Sequence, residues 1–225
     1  MQLGLVFVPL MALVPAVAAI AGEREAGTLD YLLAQPVTRR QVYRAKWVGV
    51  TSAVVLSVLA GLALTAAVAT WRGVAGGPTA ALVACTALLA AAFVTLGLWI
   101  SAGTSSRTRA TSYGLGLWVA LLGLGSLGVI SVFVRWGAPV WVLQAWSLAN
   151  PVEAYRMATL AILDPEIEVL GPVGASLLDS LGRGGLIGAA VACLTAWSAL
   201  GFAAGLRAFA DPPGVRRRSR PGTGA

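Results

Sequence analysis

Five stretches of the chain stay apolar for the length of a bilayer: 1–21 (apolar from Leu3), 47–70, 79–101, 111–134 and 185–206. None of them contains a charged residue beyond its ends. About 20 apolar residues are needed to cross the hydrocarbon core as a helix, and one Arg or Asp at its centre costs about 2.5–3.5 kcal/mol on insertion scales. A helix on a soluble domain would show a polar stripe once per turn instead. The pattern therefore predicts an all-α polytopic membrane protein with five transmembrane helices. Between them it leaves a polar segment at 22–46, a short loop at 102–110, a longer segment at 135–184 and a tail at 207–225. The first run is read as a span and not as a cleaved secretory signal, because no basic residue precedes it.

Composition agrees and narrows the chemistry. Of 225 residues 58% are hydrophobic and 11% charged, with a mean hydropathy of +0.82, whereas soluble domains carry about 25% charged residues. Soluble enzymes and disordered chains are excluded on that ground. The sequence has no His and two Cys, Cys85 and Cys193, both inside apolar runs and read as structural. Catalysis by Ser/His/Asp or Cys/His is thus impossible, and the usual four-ligand zinc sites have too few ligands. Lys46, the single Lys, follows Ala45, so no phosphate-binding loop ending in Gly-Lys-Ser/Thr can be written. No catalytic residue and no metal ligand are assigned, no cofactor is expected in this chain, and any ATP must be bound by a partner.

Charge sets the expected orientation. Twelve of the 16 basic residues fall on one set of connections: Arg24, Arg39, Arg40, Arg44 and Lys46 in 22–46, Arg107 and Arg109 in 102–110, and Arg207, Arg216, Arg217, Arg218 and Arg220 in the tail. Basic flanks are retained in the cytoplasm, so these connections are expected inside and 135–184 outside. The formal charge of +7 is then a topology signal. It is not a nucleic-acid footprint, which would gather on one face, and no nucleic-acid partner is expected. The tail, with Pro212, Pro213 and Pro221 among its arginines, is expected to be disordered and held near anionic headgroups of the membrane lipid.

The segment 22–46 is richer in local signals than a simple loop. Leu29, Leu32 and Leu33 share one face of a short helix, and Pro36 pushes Gln35 out of helical geometry. Thr38 followed by Gln41 forms a capping box, with Val37 and Val42 in the staple positions around it. Two short helices bent at Pro36 are expected. Gly27 permits a tight turn after the first span, and Thr28 is placed to cap the first short helix. Two roles stand for this hairpin: an interfacial helix on the headgroups, or a stiff docking element for a cytoplasmic partner.

The run Glu23-Arg24-Glu25-Ala26-Gly27-Thr28-Leu29, then Leu32-Leu33, then Pro36-Val37 with Arg39, Val42 and Lys46, resembles the hallmark after the second membrane helix of type-2 ABC transporter permeases. In that family the hairpin is a coupling helix seated in a groove of a cytoplasmic ATPase subunit that binds ATP and Mg. The resemblance implies that Glu23, Glu25, Gly27, Thr28, Leu32, Leu33, Pro36, Val37, Arg39 and Lys46 shape or contact that joint. Arg39, Arg40 and Arg44 are open to two claims, as rim contacts to the partner or as contacts to inner-leaflet lipid. The family has six membrane helices, whereas this sequence starts in what matches the second. A start codon assigned too far downstream, or a five-span variant, are the two expectations that follow.

In 135–184, Trp141 and Trp146 suit a membrane interface, and Asn150-Pro151-Val152-Glu153 writes a helix start that should run to about Leu163. The acids Glu166, Glu168 and Asp179 give the remainder a negative cast without a ligand set for a soft metal. The stretch 148–156, with Asn150, Pro151, Glu153, Tyr155 and Arg156, is similar to the external region of permeases for nitrous-oxide reductase maturation. That branch implies a homodimer in the plasma membrane, bound to an ATPase inside and a β-helix protein outside, assisting a copper-sulfide centre. The alternatives kept beside it are a generic exporter of a drug or lipid-like molecule and a membrane scaffold without transport.

Overall fold

The computed structural model describes residues 2–73, 80–123, 139–163 and 167–210. Within them lie eight helices and no strand: α1 Gln2–Glu25, α2 Thr28–Leu33, α3 Arg39–Trp71, α4 Ala80–Gly103, α5 Arg107–Gly123, α6 Val140–Ala149, α7 Pro151–Leu163 and α8 Ile167–Ala210. The chain is an all-α membrane protein. Four of its helices contain windows long and apolar enough to cross a bilayer, in Gly4–Glu25, Arg39–Trp71, Ala80–Gly103 and Val173–Ala210. The expected span 111–134 begins in α5, and its continuation past residue 123 lies outside the described residues, as does the tail from 211.

Helix α4 is the central post. The buried share of its apolar window is 61%, against 6% for α3. Helices α1 and α8 run along α4, α3 leans on it, α5 packs on α1, and the α6–α7 pair covers α8 and the start of α4. Small residues make these seams close. A Cβ at Gly97 would lie 2.6 Å from Ala16 Cβ, one at Gly201 2.8 Å from Thr95 Oγ1, and one at Gly114 2.8 Å from Val17 Cγ1. In lipid, where apolar surface gives little drive between helices, such backbone approach is a main source of cohesion.

Three boundaries differ from the expectation. The second helix of the hairpin does not stop before the span: once Thr38 has capped it, nothing between Arg39 and Trp71 interrupts the ladder, and a 33-residue rod results. The last helix likewise begins well before 185 and ends at Ala210, past the expected limit of 206. Its join to the segment expected outside is still marked, because Gly182 sits at φ +66° inside α8, a conformation that L side chains avoid. Beside it Arg183 Nη2 donates to Ile162 O at 2.9 Å and closes the end of α7. Cys85 is buried as expected, but Cys193 is only half-buried, its thiol 3.6 Å from Ala149 O.

Candidate functional site

The hairpin leaves α1 through a charged triplet, and each of the three side chains holds a different helix. Glu23 Oε1 meets Lys46 Nζ at 2.5 Å, which ties α1 to α3; the same ammonium reaches Ala19 O at 3.3 Å. Arg24 Nη2 donates to Ala102 O at 3.1 Å and Nη1 to Thr104 O, so it closes the C-terminal end of α4. Glu25 Oε2 accepts from the Arg107 N–H at 2.8 Å and caps the N-terminus of α5. Helix ends leave carbonyls and N–H groups without internal partners, and an acid at an N-terminus with a base at a C-terminus also suits the helix dipole. The triplet therefore locks the two arms of the hairpin to each other and fixes them to the end of α4 and the start of α5.

Beyond the triplet the chain turns at Gly27, whose φ of +73° needs a residue without Cβ. Thr28 does not cap α2, which corrects the expectation. Gly27 holds the N-cap position, and no side chain accepts there. Only two residues separate α1 from α2, so the Thr28 hydroxyl reaches back and donates to Glu23 O at 3.2 Å. Leu29 is buried, and Tyr31 points out with 76% of its surface exposed. The turn at Gln35 and Pro36 leads to the full capping box, with Gln41 N 3.3 Å from Thr38 Oγ1 and Thr38 N 2.8 Å from Gln41 Oε1.

Leu32, Val37 and Val42 line a mainly apolar groove of about 280 Å³ between α2 and the start of α3, with Gln35, Gln41, Ala45 and Lys46. The staple positions thus face one hollow. Arg39, Arg40 and Arg44 are exposed around this end of α3 and form no ion pair among the described residues. Behind the groove, Tyr43 is fully buried against Phe202 and Phe209, with ring centroids 5.7 and 6.0 Å away, which joins the base of α3 to the end of α8.

Two contributors escape sequence reasoning. Arg24 counts there as a topology charge and stands in the hallmark run, but no role at the joint is assigned to it as it is to Glu23 and Glu25. Ser101, buried in α4, donates to Val17 O at 2.7 Å and accepts from Ile20 N at 3.0 Å and Ala21 N at 2.8 Å. No local spacing announces a contact across 80 residues.

At the far end the expected helix start is present. Asn150 Oδ1 accepts from Val152 N at 3.0 Å, and its Nδ2 donates to Leu121 O at 2.9 Å, binding α7 to the described end of α5. Glu153 pairs with Arg156, whose Nε and Nη2 lie 2.8 and 2.7 Å from the one oxygen Oε2, a charge-assisted pair in which two donors share a single acceptor. Tyr155 Oη lies 3.0 Å from Thr86 Oγ1, and Thr86 spends its own proton on Leu82 O, so the phenol is the donor. Burial holds the Tyr155 phenol above its ordinary pKa. Asn150, Pro151, Glu153 and Tyr155 are buried. They brace the helix pair from within, while Arg156 is partly exposed.

Among the described residues no group of three or more His, Cys, Asp or Glu converges. What the fold and site define is a multi-pass helical membrane protein with a stiff polar hairpin keyed into the ends of its spans. The sequence matches the profile of the ABC-2 family transporter proteins over residues 1–211, and the chain belongs to that family. It is 32% identical over 164 residues to a probable ABC transporter permease protein NosY of Pseudomonas aeruginosa, an overlap covering 69% of this chain and 60% of the relative. A second protein so named, from Stutzerimonas stutzeri, is 30% identical over 200 residues, covering 84% of this chain and 70% of the relative. The chain thus spans less than two thirds of the length of the Pseudomonas protein.

Proposed function

We propose that this chain is the membrane-spanning permease subunit of an ABC transporter in the plasma membrane, with no bond chemistry of its own. A separate cytoplasmic ATPase holding ATP and Mg grips residues 23–46, and a second permease copy completes the channel. The observation that carries this reading is the threefold attachment of the hairpin through Glu23, Arg24 and Glu25. A lipid anchor gains nothing from such attachment, whereas an element that transmits displacement needs it. The exposed Tyr31 and the groove at Leu32, Val37 and Val42 offer the ATPase an anchor and a socket, and the flanking arginines supply rim contacts.

The test is co-purification of the tagged chain with a cytoplasmic ABC ATPase subunit. Gly27→Val forces a β-branched residue to a φ of +73°, and Pro36→Gly loosens the bend. Both are expected to release the ATPase while the permease stays folded in the membrane. Unchanged binding would favour the scaffold reading.

Assistance to the copper-sulfide centre of nitrous-oxide reductase is the finer proposal, supported by the names of the two relatives and by the Asn150–Arg156 stretch. An external β-helix protein is the partner it requires. Deletion of the chain should then leave the reductase protein present but short of copper, with the exporter of a drug or lipid-like molecule favoured if the reductase is unaffected.

A further inference from the structure

We propose that Ser101 is a positioning residue: its hydroxyl, on α4, is built into the hydrogen-bond ladder of α1 and sets the angle at which the hairpin leaves the membrane. In a helix interior each N–H is spent on the carbonyl four residues back, so Ala21 N should serve Val17 O. Here the Ser101 hydroxyl donates to Val17 O at 2.7 Å and takes Ala21 N at 2.8 Å and Ile20 N at 3.0 Å. It occupies the step between donor and acceptor and engages two consecutive N–H groups, as an N-cap does at a helix start. Insertion of a side chain into the ladder is one of the few established causes of a helix bend.

The position within α1 strengthens the assignment. Pro15 has no N–H and leaves Met11 O without its helical partner, so the ladder is weakened on both sides of residues 16–20. Four residues after the Ser101 step comes Glu25, the last of the triplet that holds the hairpin. Ser101 itself is fully buried and sits one residue before Ala102, whose carbonyl Arg24 takes at 3.1 Å. One short stretch of α4 therefore fixes both the bend of α1 and the arm beyond it.

The geometric part stands on the chain alone, and only its consequence for ATP-driven motion rests on the permease reading. Spin labels replace exposed Tyr113, on α5 beside α1, and Tyr31, 61% and 76% accessible, in the full chain in lipid nanodiscs with Cys85 and Cys193 changed to Ala. Their separation is read by pulsed dipolar spectroscopy. Ser101→Ala lets Ala21 N return to Val17 O; a bend change of about 20° acting on an arm of some 8 residues at 1.5 Å each displaces the Tyr31 label sideways by about 3–4 Å, which a reference label off the α1 axis registers as a changed distance. Ser101→Thr keeps the hydroxyl that serves Val17 O, Ile20 N and Ala21 N, and it is expected to keep the parent distance. That rescue by the hydroxyl is what a purely structural loss at this position would not produce.

An unchanged distance in Ser101→Ala overturns the proposal, and so does a Ser101→Thr chain that shifts as Ser101→Ala does. Should Ser101→Ala itself misfold, Ser101→Gly, which also lacks the hydroxyl, decides instead: a shifted distance supports the proposal and the parent distance overturns it. With the ATPase bound, Ser101→Ala is expected to reduce permease-dependent stimulation of ATP hydrolysis several-fold without reducing binding. A shifted distance with normal stimulation would leave the bend in place and remove the permease reading from it.

Discussion

Replacing Gly97 by Ala tests the seam on which the whole hairpin end rests. The new Cβ would lie 2.6 Å from Ala16 Cβ, 3.2 Å from Leu13 O and 3.3 Å from Val17 N. Carbon atoms pack at about 3.5–4.0 Å, so α1 and α4 must part by about 1 Å, and the nearest obstacles are backbone and a Cβ, neither of which can swing away. A gap of that size forfeits a quarter to a half of the dispersion energy across it. Leu13, Val17 and Ile20 are buried on α1, each worth about 1.5–3 kcal/mol when fully packed, which gives a loss of about 2–3 kcal/mol, within the range for overpacked cores. The same parting stretches the Ser101 contacts of 2.7–3.0 Å beyond hydrogen-bonding distance. The assay is unfolding of the chain in mixed micelles by added dodecyl sulfate. Gly61→Ala, with nothing within 4 Å, is the control and is expected to be neutral. In an Ala16→Gly background the cost of Gly97→Ala should fall below about 1 kcal/mol, giving a coupling of about 2 kcal/mol. Simple additivity of the two changes would refute this reasoning, because it would mean that the two Cβ atoms never meet.

Arg24→Ala removes the donors to Ala102 O and Thr104 O; the 102–107 connection should loosen, with tryptic cleavage after Arg107 and Arg109 accelerated while the helical content stays constant. Tyr43→Phe deletes a buried hydroxyl that has no hydrogen-bond partner among the described residues, a group that costs about 1–3 kcal/mol when left unsatisfied, so the unfolding midpoint should rise or hold, and a fall would reveal a partner for that oxygen. Tyr155→Phe removes the only donor to Thr86 Oγ1 seen among the described residues and should lower stability by about 1 kcal/mol; in a Thr86→Val background the loss should largely vanish.

The capping box at Thr38 and the helix start at Asn150 are legible in the sequence because their chemistry is local: donor and acceptor lie two or three residues apart. The span boundaries are legible less well. Hydropathy marks where lipid begins, whereas a helix ends only where a cap or breaker stops it, and no such residue lies between Arg44 and Trp47. Thr28 is misread as a cap because its partner, Glu23 O, belongs to the preceding helix. Arg24 and Ser101 are illegible for a different reason. Their partners sit about 80 residues away, and only the packing of α1 on α4 brings them together. Gly97 and Gly201 look like packing residues in the sequence, yet so do Gly61 and Gly116, which face open space; composition alone cannot separate them.

The division of burial between helices decides which part would move if an ATPase pulled on the hairpin. Helix α4 is the most enclosed of the spans, and through Ser101, Ala102 and Gly97 it holds α1 at three adjoining levels. Helix α3 is the opposite case, with 6% of its apolar window buried and with Val48, Leu56, Leu64 and Val68 exposed along it. It is also one unbroken rod from the Thr38 cap to Trp71, about 50 Å at 1.5 Å per residue. On the proposed reading a displacement at Arg39 is passed along that rod as a tilt, because no hinge lies between to absorb it. The fulcrum is the base of the rod, where Lys46 meets Glu23 and the rings of Tyr43 and Trp47 pack on Phe202. Were α3 clamped along its length as α4 is, the hairpin would have nothing to drive, and the weak packing that makes α3 look unfinished in a single chain is what allows it to serve as the moving arm.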